Sequence, residues 1–123
     1  MSRSANILVV YDSESMRMAI KKTLKSAGYK VTEAENGKVA LLLAQESQFD
    51  LVITDIQMPV MGGIEFIKEL RDSSQYQSTP VMTLAISISS QEVSELRSAN
   101  IMFPGSGTDM LVSPIECIID SIH

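Results

Sequence analysis

Short runs rich in β-branched residues alternate with longer amphipathic stretches, and this alternation restricts the fold more than any other feature. "NILVVY" (6–11) is a brief continuous apolar run, which reads as a strand buried on both faces. "SMRMAIKKTLKSAG" follows, with Met16, Ile20, Leu24 and Ala27 at helical spacing and Gly28 as a stop. "YKVTEAE" (29–35) has less apolar content and reads as a strand nearer the sheet edge. Asn36-Gly37 opens a helix whose Val39, Leu42, Leu43 and Glu46 form a two-faced pattern. Residues 50–56 make a third strand, and Ile64, Ile67 and Leu70 mark one side of a helix over 64–73. "PVMTLAISI" (80–88) is a fourth strand, and Ser89 with Glu92 forms a capping box for a helix carrying Val93 and Leu96. "IMFPGSGTD" (101–109) reads as a loop by its Pro and two Gly, "MLV" (110–112) as a short last strand, and "SPIECIIDSIH" as a short final helix.

Five strands alternating with five helices imply an α/β domain, a parallel sheet covered on both faces. At 123 residues the chain suffices for one domain, spanning 1–123, and not two. A net charge of −5 repels phosphate backbones and anionic lipid, so neither direct nucleic-acid binding nor membrane contact is expected. The lone Cys117 cannot close an internal disulfide and reads as core filler on a helix. No apolar run approaches a membrane span, and the N-terminal one is too short for a secretion signal, so a cytoplasmic location is expected.

The stretch "DLVITDIQMPVMGG" (50–63) starts as a buried strand and then places Asp55 where the apolar run ends. Ligands of parallel sheets gather at the carboxyl ends of the strands. Asp12, just past the first strand, occupies a second such end. Two carboxylates brought together there repel, and a bound divalent cation relieves the repulsion. Oxygen ligands of this kind suit Mg2+, which keeps several waters and takes one or two carboxylates.

The ordered series "NILVVYDSESMR", "DLVITDIQMPVMGG", "PVMTLA" and "MLVSPI" resembles the receiver domain of two-component response regulators over nearly the whole chain. The resemblance implies a doubly wound, flavodoxin-like, five-stranded parallel sheet. It implies Asp55 as the phosphoacceptor for a sensor histidine kinase or phosphotransfer protein, with no enzymatic activity of the domain's own. Asp12, Asp55 and the backbone carbonyl of Gln57 would ligate Mg2+. A downstream protein partner would dock on the fourth helix, fifth strand and fifth helix.

Against that pattern the chain has Tyr11 where the first of two adjacent acids is expected, Ala85 for a Ser or Thr, Met110 for a switch aromatic, and Ser113 for a Lys. The segment between Ala85 and Ser113 is also longer than usual, with the extra length assigned to "IMFPGSG". A hydrogen bond to a charged group contributes about 1.5–3 kcal/mol and a neutral one about 0.5–1.5. Allosteric coupling is itself about 1–3 kcal/mol, so losing the ammonium and the hydroxyl removes most of a switch. Tyr11 is expected to crowd the metal space and weaken Mg2+ binding. Ser113 reads as a cap ahead of Pro114 and Glu116. Thr83 and Ser87, two residues either side of Ala85, are the remaining hydroxyl candidates, with Thr83 expected to lie deeper.

Four functions compete. The first is a receiver with a degenerate switch that acts as an interaction module, and the second is a working phosphoacceptor with altered kinetics. An aspartate-nucleophile phosphatase needs a second acid two residues on, where Gln57 stands. A flavin carrier needs a glycine-bearing phosphate loop, and "YDSESMRMA" has no glycine.

Overall fold

The computed structural model describes residues 5–55, 60–77 and 79–83, and the backbone of 101–102. The central strand is β1 (Asn6–Val10), whose Ile7, Leu8, Val9 and Val10 are all fully buried. It pairs in parallel with β2 (Lys30–Ala34) on one side and β3 (Leu51–Thr54) on the other. β4 (Val81–Met82) and β5 (Ile101–Met102) complete a sheet of order β2-β1-β3-β4-β5. β2 is therefore an edge strand, which explains its low apolar content. This order, with helices following the strands, is the doubly wound, flavodoxin-like arrangement.

The alternating side chains divide the core in two. Ile7, Val9 and Tyr11 join Leu51, Ile53 and Met82 beneath Ile20 and Leu24 of α1 (Glu14–Ser26). Leu8, Val10, Val52 and Val81 face the opposite side. There they meet Ala40 and Ala44 of α2 (Gly37–Glu46) and Phe66, Ile67 and Leu70 of α3 (Gly63–Asp72).

The helix ends follow from the sequence. Ser13 caps α1 by accepting the Met16 amide at 3.3 Å, and Asn36 caps α2 by accepting that of Val39 at 2.9 Å. Gly28, at φ 97°, ends α1, with its own amide donating to Lys25 O and that of Tyr29 to Leu24 O. This Schellman turn aims Tyr29 back at Leu24. Arg71 of α3 fastens the turn before β4 by donating to Tyr76 O and Thr79 O, both at 2.6 Å. The Tyr76 ring is buried, and its hydroxyl lies 2.8 Å from Ala44 O and 2.6 Å from Ser47 O, tying that turn to the end of α2.

Two expectations need correction. Residues 101–109 do not begin as loop: Ile101 and Met102 pair with Val81 and Met82 as the fifth strand. A two-residue strand in front of Pro104 and two glycines gives a weaker signal than those turn residues. The strand assigned to 110–112, the capping box at Ser89 and Glu92, and the final helix lie outside the described residues. In α2, Leu42 faces outward, 56% exposed, while Ala40 and Ala44 make the contact with the sheet.

Candidate functional site at the carboxyl edge of the sheet

Parallel register sets the ends of β1 and β3 side by side. Val10 and Thr54 are the last pair between β1 and β3, and the Asp55 amide then donates to Val10 O at 2.9 Å. Asp12 and Asp55 consequently leave the sheet at the carboxyl ends of neighbouring strands. Asp12 is exposed and Asp55 half-buried. The Ser13 cap points the α1 N-terminus at the same edge, which favours an anion there.

Tyr11 packs into the core. Its side chain is 3% exposed and belongs to the cluster of Ile7, Val9, Ile20, Ile53 and Met82. Its amide extends the β1–β2 ladder to Ala34 O at 3.1 Å. Tyr11 therefore takes a carboxylate away from the edge and spends its ring on the core beneath α1.

The segment after Asp55 is held by close packing. Thr54 donates its hydroxyl to Asp55 O at 2.9 Å. Gly37 at the start of α2 donates to Met61 O at 3.3 Å. A Cβ on Gly37 would lie 2.8 Å from Phe66 Cβ and 3.0 Å from Met61 Cγ, so only glycine lets α2 approach the Asp55 loop this closely. Val60, 76% exposed, has φ 70°, a left-handed conformation that costs a β-branched side chain strain.

On β4 the fully buried Thr83 follows Met82, which pairs with Ile53. One further step of register puts Thr83 level with Thr54, below Asp55, as expected of a deeper position. Its hydroxyl has no hydrogen-bond partner among the described residues. Gln57, Ala85, Ser87, Met110 and Ser113 lie outside those residues. The assignment of Met110 to the fifth strand and of Ser113 to the position just after it assumed a strand at 110–112, whereas the observed β5 is Ile101–Met102. The missing ammonium does not depend on that register: Lys68 is the last lysine of the chain, so none follows β4 or β5.

Asp12 and Asp55 suit Mg2+ in donor type and number, since that ion needs only one or two carboxylates beside its waters. Among the described residues no three His, Cys, Asp or Glu side chains converge as a metal site would need. Arg17 was not singled out as part of the site in the sequence. Its Nη1 donates to Tyr11 O at 2.6 Å and Asp12 O at 3.3 Å, and its Nε lies 3.6 Å from Glu33 Oε1. Lys21 completes the pairing at 3.0 Å from Glu33 Oε2. A contact to backbone carbonyls leaves no residue pattern that could have revealed it.

An open parallel sheet with an acid just past each of two adjacent strand tips is what the doubly wound α/β domain presents at this edge. The family of the response regulator receiver domain matches residues 7–102. Chemotaxis protein CheY-3 of Vibrio cholerae is 30% identical over 102 residues, which cover 82% of this chain and 78% of that one. Two-component response regulator ORR5 of rice (Oryza sativa) is 34% identical over 112 residues, covering 90% of this chain and 79% of that one. The solved structure of CheY4 from Vibrio cholerae superposes with a TM-score of 0.85 at 34% identity, covering 94% of this chain and 99% of that one. The chain belongs to the response regulator receiver domain family, and it is a receiver of two-component phosphorelay signalling. Among the described residues no helix is long and apolar enough to cross a membrane.

Proposed function

We propose that this receiver keeps Asp55 as a phosphoacceptor position but has an impaired switch, and acts mainly as a protein-interaction module rather than as an enzyme. The observation that carries the reading is the absence of any lysine beyond Lys68. An aspartyl phosphate formed at Asp55 would lack the ammonium that holds phosphoryl oxygens in the family. With Ala85 in place of a hydroxyl, little remains to pull the far end of the sheet.

In the transfer itself, an Asp55 carboxylate oxygen forms the new O–P bond. The donor's P–N bond to a histidine kinase or phosphotransfer imidazole breaks, and the electron pair leaves with the imidazole. The α1 N-terminus favours the incoming anion, and the Thr54 hydroxyl fixes the Asp55 carbonyl. A Mg2+ ion held by Asp12, Asp55 and the Gln57 carbonyl would neutralise phosphoryl charge. Two acids in place of three predict weak binding of that ion. The packing of Tyr11 in the core supports the lost carboxylate, rather than steric block, as the cause of that weakness.

The alternative is a fully phosphorylatable receiver with altered kinetics. Several features support a usable acceptor: the paired acids, the capped α1, and the likeness to response regulator TrrA of Thermotoga maritima in complex with Mg2+ and BeF. That structure superposes with a TM-score of 0.77 at 30% identity. Wild type and Asp55→Asn, each offered to a histidine kinase and to candidate output proteins, test the choice. Equal retention of an output protein with and without a small phosphodonor supports the interaction module. Retention that requires both Asp55 and the phosphodonor overturns it. A stoichiometric, acid-stable, base-labile adduct on Asp55, seen by mass, establishes acceptance independently of output.

A further inference from the structure

We propose that Arg17 is a positioning residue for the acid pair, setting the path of the β1–α1 loop and with it the direction of the Asp12 carboxylate. The proposal rests on the reading of Asp12 and Asp55 as a cation and phosphoryl site. Arg17 lies in α1 with its side chain only 16% exposed. Around it, Glu14, Glu33 and Glu35 line a depression of about 390 Å³. With three carboxylates at hand, the guanidinium nevertheless makes its shortest hydrogen bond, 2.6 Å, to the carbonyl of Tyr11, and a second at 3.3 Å to that of Asp12. Only Nε turns toward Glu33, at 3.6 Å. One nitrogen, Nη1, thus bonds the carbonyls of two consecutive peptide units, while Nε of the same rigid plane faces the counter-charge that β2 supplies in Glu33.

These two peptides are where the chain changes direction. Tyr11 is anchored in the core and Ser13 is anchored as the α1 cap, so Asp12 is the one exposed residue between two fixed points. Two charge-assisted bonds to the peptides on either side of its Cα leave its side chain a narrow range of directions. A lysine ammonium carries enough donors for both carbonyls but lacks the second nitrogen in a fixed plane that faces Glu33 at the same time.

Simple electrostatics and positioning predict opposite signs. Removing a cation beside two carboxylates should strengthen their attraction for a divalent ion. Losing a positioning group should weaken it, by about tenfold for an outer-shell partner. The test is NMR on the whole chain, titrating Mn2+ and following broadening of the Asp12 and Asp55 amides. Wild type, Arg17→Gln, Arg17→Lys and Lys21→Gln are compared, with amide relaxation of residues 11–13 recorded in the absence of metal.

We expect Arg17→Gln to weaken the Mn2+ response about tenfold and to raise the mobility of residues 11–13. Arg17→Lys should fall between it and wild type, and should remain informative if Arg17→Gln folds poorly. Lys21→Gln, which removes a charge from the same Glu33 without touching the loop, should leave both readouts unchanged. Tighter Mn2+ binding in Arg17→Gln, or unchanged loop mobility, overturns the proposal. If Mn2+ does not localise at Asp12 and Asp55 in the wild type, the acid-site reading itself fails. The relaxation comparison of Arg17→Gln with Lys21→Gln then still decides whether Arg17 holds the loop.

Discussion

Restoring the missing acid by Tyr11→Asp should improve ion binding and damage the fold at the same time. The Tyr11 ring is 3% exposed and packed with Ile7, Val9, Ile20, Ile53 and Met82. Truncating a buried aromatic typically costs about 3–5 kcal/mol, and collapse at a strand end moderates this toward the lower figure. A domain has about 5–15 kcal/mol of stability in total, so the variant should remain folded with a clearly reduced urea midpoint. The new carboxylate adds attraction for a dication at the sheet edge. At an effective dielectric of about 20 and a separation of about 4 Å, this is on the order of 4 kcal/mol per unit charge. Repulsion from Asp12 and Asp55 returns much of it, and a net gain of about 1.4 kcal/mol corresponds to tenfold tighter binding. Urea unfolding gives the first quantity, and Mn2+ titration of the Asp55 amide gives the second. Unchanged stability would refute the placement of the ring in the core. A large stability loss without tighter ion binding would refute the claim that Tyr11 weakens the site by removing charge.

Val60→Asn should raise stability by about 1 kcal/mol in urea unfolding, because asparagine tolerates the left-handed φ of 70° that strains valine. Gly37→Ala should lower stability by about 1–3 kcal/mol, since its Cβ would sit 2.8 Å from Phe66 Cβ and press on Met61 beside the Asp55 loop. Burial pushes the Tyr76 phenol above its ordinary value of 10.0, against a smaller lowering by the Phe49 backbone hydrogen bond. Its contribution to stability is therefore complete below pH 10.0 and is lost as pH rises through the folded-state value. Melting temperature should fall more steeply above that pH in the wild type than in Tyr76→Phe, which should start about 1–3 kcal/mol less stable for its lost hydroxyl bonds.

The parts of the fold legible in the sequence are those where one physical signal acts alone. The run Ile7–Val10 can only be a buried strand, and Met16, Ile20 and Leu24 with Gly28 mark a helix and its end. The inner face of α2 was harder to read because Val39–Ala44 is apolar all round, so periodicity cannot choose between Leu42 and the alanines. Phe66, missed on α3, packs beside Ile67 and reflects the same width of apolar surface. The fifth strand was hidden because two residues of pairing compete with Pro104 and two glycines. At the site, Asp12 and Asp55 were legible from their positions just past strand ends, and the register sets those two strands side by side. The inward turn of Tyr11 was not legible, because a residue at a strand tip can fall on either side of the boundary between core and solvent. The Arg17 clamp was invisible for a different reason: its partners are carbonyls that every residue carries.

Beryllofluoride, an aspartyl-phosphate mimic, added with Mg2+ to the wild type tests the central claim most directly, with backbone amide shifts followed across the whole chain. The account predicts changes confined to the loops bearing Asp12 and Asp55. Large, saturable shifts spreading through β4, β5 and the elements beyond them would show that the added group is still coupled to the far surface, and would contradict it.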